Sequence, residues 1–474
     1  MNTDASWPSA DEAAVRVLEI QAKLHRWAKG DPDRCFADLF NLVVDPAFLQ
    51  LAWIRVSGNR GARSAGIDGV TARSIRQVGG EQAMLAALRH DLKSGRFAPL
   101  AVRGRMIPKA SGKLRRLGIP SVRDRVAQAA LKLVLEPIFE ADFKPSSYGF
   151  RPRRRAHDAL AEIHFLANRS YEWVFEADIE ACFDTIDHTA LLGQVSRRVG
   201  DRRVLRLVKA FLKAGLLTED GQHRETLTGT PQGGILSPLL ANIALSQLDE
   251  YFAERWAASG TSATRTRLRR RGGATYRLVR YADDFVVMVA GSEHHAHALR
   301  AEVEAVLAPI GLRLSDEKTS VLHIDEGFDF LGFRIQRRHR RGTSRRSVYI
   351  YPSKKALASI IGKIRDLTRR SEHPDLEALL RRVNAVLRGW SAYFALGASA
   401  QTLSYLHQYT WRRVVVWIRK RHHGANWATL RRRYLPGWWP TADGVRLFSP
   451  HLEQRVIRIR WRGEQIPTPW NETG

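Results

Sequence analysis

The adjacent carboxylates Asp283 and Asp284 are the residues whose spacing most clearly suits chemistry. Residues 274–280 before the pair and 285–290 after it are rich in β-branched and aromatic residues, which predicts two strands joined by a tight turn. Adjacent carboxylates repel each other and are costly to desolvate, and a divalent cation between them would remove that cost. An ordinary polar turn is the alternative. The strongly apolar flanks hold the pair at the edge of a core and favour a metal site.

A third carboxylate, Asp178, supports this interpretation. Residues 171–179 have a strand-like pattern, and Asp178 lies near its end. One carboxylate at a strand end and two on a distant hairpin are what two Mg²⁺ ions need in phosphoryl transfer, with Mn²⁺ as a substitute. One metal would activate the attacking hydroxyl, and the other would hold the triphosphate and the leaving group.

Residues 281–284 and 178–183 resemble the two catalytic motifs in the palm domain of reverse transcriptases. The resemblance implies that Asp178, Asp283 and Asp284 are the catalytic residues and bind the metals together with the backbone carbonyl of Ile179. Asp184 and Asp187, further along the same stretch, are interpreted as structural.

The same resemblance implies a nucleotide pocket made by the turn that leaves the first motif, namely Ile179, Glu180, Ala181, Cys182 and Phe183. We expect the Phe183 ring to pack beneath the ribose, where a 2′-hydroxyl would collide with it, so that the pocket prefers dNTPs. The alternative is that Phe183 only plugs the core beneath the palm.

Other blocks resemble the fingers and palm of group II intron reverse transcriptases. Residues 96–125 predict two short basic strands around a Gly-containing turn, and Arg103, Lys109 and Arg115 are the candidate triphosphate ligands. A solvated basic hairpin is the alternative. The glycine-containing turn at 228–238 is similar to a template-and-nucleotide motif centred on Gln232, and Lys318 is placed near the leaving pyrophosphate by resemblance only.

Two basic segments are candidate nucleic-acid contacts. The first interleaves aromatic and basic side chains, of which we select Tyr148, Arg151, Arg153 and Arg154. The second spans residues 259–273 and is expected to be a mobile loop that faces RNA through Arg269, Arg270 and Arg271.

Composition limits the class of protein. The formal net charge is +28 and the sequence pI is about 10.8, which indicates a polyanionic partner. No amphipathic anchor, long apolar run or secretion signal supports a membrane role instead. The only cysteines, Cys35 and Cys182, cannot build a four-cysteine zinc site or a disulfide framework. We therefore expect a bacterial cytoplasmic protein associated with the nucleoid.

The length of 474 residues indicates several domains. The family resemblance implies an α+β right-hand polymerase fold, with antiparallel sheet in the fingers and palm followed by a helical thumb. The expected boundaries are 1–60 for an N-terminal helical extension, 61–352 for fingers and palm, 353–423 for the thumb and maturase region, and 424–474 for a basic, Trp-rich nucleic-acid-binding tail. The helix that begins at Asp124 is predicted to end at Glu136-Pro137.

These features predict an RNA-directed DNA polymerase that also binds its intron RNA and assists splicing and retrohoming by target-primed reverse transcription. Its partners would be group II intron RNA, an RNA template, a DNA primer or target, and dNTPs. The chain lacks the cysteines of the His-Asn-His endonuclease that the family often carries. The alternatives are a reverse transcriptase of a bacterial defence or diversity-generating system, a splicing cofactor without polymerase activity, and an RNA-dependent RNA polymerase.

Overall fold

A computed structural model describes residues 7–108, 114–340, 342–369 and 373–471 of the chain. It is a mixture of helices and mainly antiparallel sheets, in agreement with the α+β class expected from the sequence. None of the described helices is long and apolar enough to cross a membrane.

The α-helices of the described residues, in chain order, are α1 (Ala10–Gly30), α2 (Phe40–Val43), α3 (Pro46–Gly58), α4 (Ala72–Gln77), α5 (Glu81–Lys93), α6 (Val122–Glu140), α7 (Ala156–Ala167), α8 (Cys182–Thr185), α9 (His188–Ser196), α10 (Arg202–Leu212), α11 (Ser237–Ala258), α12 (Ser262–Arg270), α13 (Glu293–Leu307), α14 (Lys354–Arg369), α15 (Leu376–Phe394), α16 (Ala400–Arg421), α17 (Trp427–Tyr434) and α18 (Pro450–Glu453).

The strands are β1 (Val102–Pro108), β2 (Leu114–Ile119), β3 (Trp173–Asp178), β4 (Leu216–Leu217), β5 (His223–Arg224), β6 (Thr275–Tyr281), β7 (Asp284–Ala290), β8 (Ser320–His323), β9 (Phe328–Phe330), β10 (Phe333–His339), β11 (Arg346–Pro352), β12 (Thr441–Ala442) and β13 (Val445–Arg446).

The central sheet has the strand order β6-β7-β3-β8 and is antiparallel throughout. Strands β6 and β7 form the hairpin predicted from the sequence. Strand β7 is apolar on both faces because helices cover it on both sides, and its residues from Phe285 to Ala290 are buried. A second sheet, β2-β1-β4-β5, contains the basic hairpin β1–β2, and a third, β11-β10-β9, lies between the central sheet and the C-terminal helices.

Helix α6 continues past Pro137 to Glu140, so the prediction that it ends at Glu136-Pro137 is wrong. Proline cannot donate to the carbonyl four residues earlier, which normally weakens a helix. Here the Gln21 side chain of α1 donates to that carbonyl, Leu133 O, at 2.6 Å and replaces the missing bond. Tertiary packing against α1 therefore compensates for the proline.

Residues 259–273 are also different from the expected loop, because α12 forms within them. The Thr261 side chain accepts a hydrogen bond from the backbone N–H of Thr264 and caps the helix. Arginine and alanine are good helix formers, and none of the α12 side chains is buried. The arginines predicted to face RNA thus stand on an exposed helix.

The three helices predicted for residues 353–423 are present as α14, α15 and α16, and they enclose an apolar core of their own. Beyond α18, residues 455–471 run back along the molecule. The Trp461 ring packs on Phe165 of α7 with 3.8 Å between ring centroids, and Trp470 is buried against α1. These tryptophans of the predicted nucleic-acid-binding tail therefore contact protein.

Candidate active site

Asp178 and Asp284 are directly opposite each other in the register of β3 and β7. Asp178 is the last residue of β3, and Asp284 is the first residue of β7. Asp283 occupies the two-residue turn between β6 and β7, next to Ala282. The structure therefore brings together the three carboxylates that the sequence selected, although about a hundred residues of chain separate the first from the others.

The turn at Ala282 packs closely against Gly149. Ala282 has a φ of 60°, the left-handed conformation that a two-residue hairpin turn demands. Gly149 lies directly against it, and a Cβ added at Gly149 would stand 2.2 Å from the Ala282 nitrogen. Only glycine fits against this turn. The loop before α7, which contains Gly149, therefore helps to hold the turn in place.

The surroundings of Asp283 and Asp284 disfavour the ionised forms of these two carboxyl groups. Burial, with added repulsion from Asp283 and Asp178, raises the pKa of Asp284 to about 6. Burial also raises the pKa of Asp283 above its usual range. One edge of Asp284 still reaches solvent, so a ligand could approach the cluster from there.

Lys318 provides a positive charge at this cluster. Its ammonium group donates to Asp178, and this hydrogen bond raises the pKa of Lys318 above its usual value. The residue lies in a short 3₁₀ turn just before β8, the strand that pairs with β3. The sequence placed Lys318 near the site by resemblance, and the structure brings it into contact with the Asp178 carboxylate.

The donor set suits a hard divalent cation. Crowded carboxylate oxygens are the ligands that Mg²⁺ prefers, and a cation would offset the repulsion between them. Within the described parts of the chain, no three acidic, histidine or cysteine side chains are already arranged as a complete metal site. The Lys318 ammonium instead binds Asp178. Asp178, Asp283 and Asp284 thus fit the metal by chemistry and proximity.

The basic hairpin meets the 228–238 turn at Gln232. The Arg115 Nε donates to Gln232 Oε1 at 2.7 Å, and Gln232 Nε2 donates to Asp184 Oδ2 at 2.9 Å. Arg115 and Gln232, both predicted to contact the nucleotide, are therefore linked by hydrogen bonds to Asp184, the residue after Phe183. Asp184 was interpreted from the sequence as structural, and it contacts Gln232, a residue predicted to bind the nucleotide.

The other residues predicted to bind the nucleotide differ in how deeply they are buried. Arg103 lies on β1, and its Nε is buried with no hydrogen-bond partner in the described part of the chain. Lys109 lies outside the described residues. Glu180 is exposed, whereas Ile179 and Cys182 are buried, and burial raises the pKa of the Cys182 thiol to about 12. Ala181 has a φ of 46°, which turns the chain sharply into α8.

Phe183 lies on α8 with only 8% of its surface exposed. Its ring meets the ring of Phe150 edge to face, with 6.4 Å between centroids, and Phe150 is itself exposed. Two aromatic rings therefore stand side by side near the carboxylates. The sequence singled out only the first of them as a candidate for selecting the sugar.

The candidate RNA contacts fall into two groups. Tyr148 is buried, and its hydroxyl donates to Glu162 Oε2 at 2.5 Å. Arg151 is buried and forms a two-pronged pair with Glu140. Both side chains hold the loop before α7 in place, which is a structural role. Arg153 is exposed, and Arg154 lies over the Tyr148 ring.

On α12 and just beyond it, Arg270 and Arg271 are exposed and Arg269 is half-buried. These three remain accessible to a polyanion.

Sequence reasoning missed the fully buried Arg280 and its partner Asp249 on α11. The available signal was a charged residue near the end of an apolar strand, directly before residues 281–284. Such a residue requires a buried counter-charge, and Asp249 supplies it.

A sheet that presents paired carboxylates beside a basic hairpin is typical of a nucleotidyl-transferring polymerase. Comparison of the sequence with known protein families agrees with this class. Residues 107–335 match the family model described as "Reverse transcriptase (RNA-dependent DNA polymerase)", and residues 357–435 match "Group II intron, maturase-specific domain".

Several curated proteins are similar to this chain over most of its length. Protein YkfC of Escherichia coli is 37% identical over 74% of this chain and 97% of its own length. Group II intron-encoded protein LtrA of Lactococcus lactis is 31% identical over 70% of this chain, which spans 62% of LtrA. The "Uncharacterized 91 kDa protein in cob intron" of Schizosaccharomyces pombe is 32% identical over 64% of this chain and 44% of its own length. The chain belongs to the reverse transcriptase family and carries the group II intron maturase-specific domain.

Proposed function

We propose that the chain copies RNA into DNA, assists the splicing of a group II intron RNA, and supports retrohoming by target-primed reverse transcription. The observation that carries the polymerase function is the register of β3 and β7, which sets Asp178 against Asp284 beside the turn that holds Asp283. The match of residues 357–435 to the maturase-specific domain supports the splicing function.

Asp178, Asp283 and Asp284, with the backbone carbonyl of Ile179, would hold two Mg²⁺ ions, and Mn²⁺ would substitute for them. When bound, the metals supply charge neutralisation at the transferring phosphate and activation of the primer hydroxyl. In the proposed mechanism the primer 3′-hydroxyl attacks the α-phosphate in line, and pyrophosphate leaves.

The chain's own side chains would position the dNTP. Arg103, Lys109 and Arg115 offer guanidinium and ammonium donors to the triphosphate. Gln232, held between Arg115 and Asp184, would orient the base pair that is being formed. Lys318, which contacts Asp178, would donate from this position to the leaving pyrophosphate.

Intron RNA would bind to surfaces separate from the carboxylates. The last turns of α16 and α17 carry runs of basic residues, and α12 adds exposed arginines on an isolated helix. A-form RNA presents phosphates and 2′-hydroxyls that such surfaces hold by shape and charge. In this proposal the central sheet is the palm, the β1–β2 hairpin belongs to the fingers, and α14–α16 form the thumb. A protein bound to nucleic acid in this way would be found with the bacterial nucleoid.

Two alternatives are less well supported. The maturase-specific match favours an intron protein over a reverse transcriptase of a defence or diversity-generating system. The complete set of Asp178, Asp283 and Asp284 favours an active polymerase over a splicing cofactor that has lost polymerase chemistry.

The test uses the full-length purified protein and the intron RNA encoded around its gene. We expect primer extension on an RNA template with dNTPs and Mg²⁺, and faster splicing of the intron at low Mg²⁺ concentration. EDTA should stop primer extension. Failure of extension with Mg²⁺ and with Mn²⁺ would exclude the polymerase function, and unchanged splicing would exclude the maturase function.

A further inference from the structure

Arg280 is a fully buried arginine one residue before Tyr281, with 0% of its surface exposed, and its partner Asp249 on α11 is also 0% exposed. The Arg280 Nε donates to Asp249 Oδ1 at 2.9 Å, and one terminal nitrogen donates to Asp249 Oδ2. Burying both charges requires that every donor of the guanidinium be satisfied. The other partners of Arg280 show what this pair holds together.

The remaining donors of the guanidinium reach three different segments. One terminal nitrogen donates to the Ala282 carbonyl at 2.9 Å and to Asn242 Oδ1 on α11 at 3.0 Å. The other donates to Ser147 Oγ at 2.8 Å. A single planar group therefore connects the catalytic turn, helix α11 and the loop before α7.

The loop and the turn are also joined without the guanidinium. The backbone N–H of Arg280 donates to Ser146 O at 2.9 Å, and its carbonyl accepts from the Tyr148 N–H at 2.8 Å. The Asn242 amide donates to Gly149 O at 2.9 Å, and Gly149 is the residue that lies against Ala282. Together, these hydrogen bonds link the turn, α11 and the loop before α7 to one another. The Arg280 guanidinium contacts the carbonyl of Ala282, and Gly149 lies against its nitrogen.

We propose that Arg280 is the positioning residue of the catalytic turn, fixing the Ala282 carbonyl so that Asp283 and Asp284 present their carboxylates together toward the metals. The inference rests on the proposed polymerase function. Arg280 touches no reacting atom in this role. It acts through the turn, because a peptide whose carbonyl is fixed cannot rotate and redirect the two side chains that follow it. A guanidinium suits this role because its five donors diverge in one rigid plane.

The test compares Arg280→Lys with Arg277→Lys. Lysine at 280 keeps a positive charge for Asp249 but cannot bind Ala282, Asn242 and Ser147 together. Arg277 lies on the same strand and forms ion pairs with Glu162 and Glu464, and none of its bonds is to the turn. For Arg280→Lys we expect kcat for primer extension to fall about 10- to 100-fold, as is typical when a residue that orients catalytic groups is lost. The KM for template-primer should stay near the wild-type value.

A second readout does not depend on catalysis. Mn²⁺ binding, followed by the electron paramagnetic resonance of the free ion, should weaken several-fold in Arg280→Lys and remain as in wild type in Arg277→Lys. Wild-type kcat and Mn²⁺ affinity in a folded Arg280→Lys protein would overturn the inference. So would equal losses in both lysine variants. If Arg280→Lys does not fold, Asn242→Ala replaces it. This variant removes one partner of the Arg280 nitrogen that binds the Ala282 carbonyl, removes the bond to Gly149 O, and keeps the Arg280–Asp249 pair.

The two proposals fail in different ways. A wild-type protein that makes no DNA and binds no Mn²⁺ would contradict the proposed function. A wild-type protein that does both, while Arg280→Lys and Asn242→Ala do so equally well, would contradict only the role of Arg280.

Discussion

Asp178 and Asp284 face each other across β3 and β7, so two carboxylates that are far apart in sequence are held as cross-strand neighbours. Cross-strand neighbours in an antiparallel pair lie about 4.5–5.5 Å apart at their Cβ atoms, which is close enough for one cation to contact both side chains. The same closeness makes the pair repulsive without a cation, and it contributes to the raised pKa of Asp284. The first prediction follows from this relationship.

Replacing Asp178 or Asp283 with alanine should abolish DNA synthesis, with a loss of at least about 100-fold in kcat, because charge stabilisation of the transition state disappears. RNA affinity should change less than about twofold, since it depends on many dispersed basic contacts. Primer extension and filter binding provide the measurements. Asp329→Ala is the control, because Asp329 is an acidic neighbour on β9 that pairs with Arg334. Activity within tenfold of wild type in either catalytic variant would exclude the assignment.

Splicing should survive the loss of polymerase chemistry. Asp284→Ala should still accelerate intron splicing at the wild-type rate, because the proposed RNA surfaces lie outside the central sheet. Conversely, Arg270→Glu combined with Arg271→Glu on the exposed side of α12 should weaken RNA binding and flatten its salt dependence by about one unit of slope per lost phosphate contact. If Asp284→Ala lost splicing in proportion to polymerisation, the two activities would share one surface.

Phe183→Ala should increase ribonucleotide incorporation relative to deoxyribonucleotide incorporation. The small side chain would leave room for the 2′-hydroxyl that the ring excludes. Single-nucleotide extension with each substrate gives the two kcat/KM values whose ratio reports discrimination. Phe150→Ala is the matched control, because Phe150 contacts Phe183 edge to face. An unchanged ratio in folded Phe183→Ala, or the larger change in Phe150→Ala, would show that Phe183 does not select the sugar.

Glu176→Gln should stabilise the metal-free protein at high pH only. Burial, with repulsion from Asp329 and Asp284, raises the pKa of Glu176 from 4.5 to about 7. The folded state therefore binds a proton that the unfolded state releases between these two values, and wild-type stability falls as pH rises through that window. Glutamine mimics the protonated form and avoids this loss.

The expected gain for Glu176→Gln is about 1–2 kcal/mol at pH 8 and close to zero at pH 4, after discounting for partial solvent access. Urea unfolding in EDTA at the two pH values measures it. A variant that is equally stabilised at both pH values would indicate a packing effect and not a titration.

Trp470→Ala should loosen the C-terminal segment from α1. Trp470 is 5% exposed, and its indole N–H donates to Gln21, the residue that also caps the Leu133 carbonyl left free by Pro137. Removing such a ring costs about 3 kcal/mol. Hydrogen exchange of the α1 amides should accelerate accordingly. Trp438→Ala is the control, because Trp438 is 50% exposed and should leave α1 exchange unchanged. Equal exchange in both variants would mean that the segment does not secure α1.

Local patterns in the sequence were enough to predict the local features of the fold. The β-branched and aromatic flanks around Asp283 and Asp284 were enough to predict the β6–β7 hairpin, because such residues favour strands. The apolar stripes after residue 353 were enough to predict α14–α16, because they repeat at the period of a helix. The family resemblance determined which carboxylates belong together. Period-based reasoning alone could not pair Asp178 with Asp284, since strand order depends on contacts between distant segments.

Features that depend on distant partners could be recognised only in the folded chain. Pro137 stays within a helix because Gln21 caps the free carbonyl, and Tyr148 and Arg151 are buried because Glu162 and Glu140 satisfy them. Basic and aromatic residues look alike in sequence whether they bind RNA or a buried carboxylate. For the same reason, the sequence could not show that Arg280 contacts the turn at Ala282. Its partners Asp249 and Asn242 lie on α11 and can be identified only in the folded chain. The physical cause is that a buried charge is specified by its counter-charge, and that partner is brought near only by the fold.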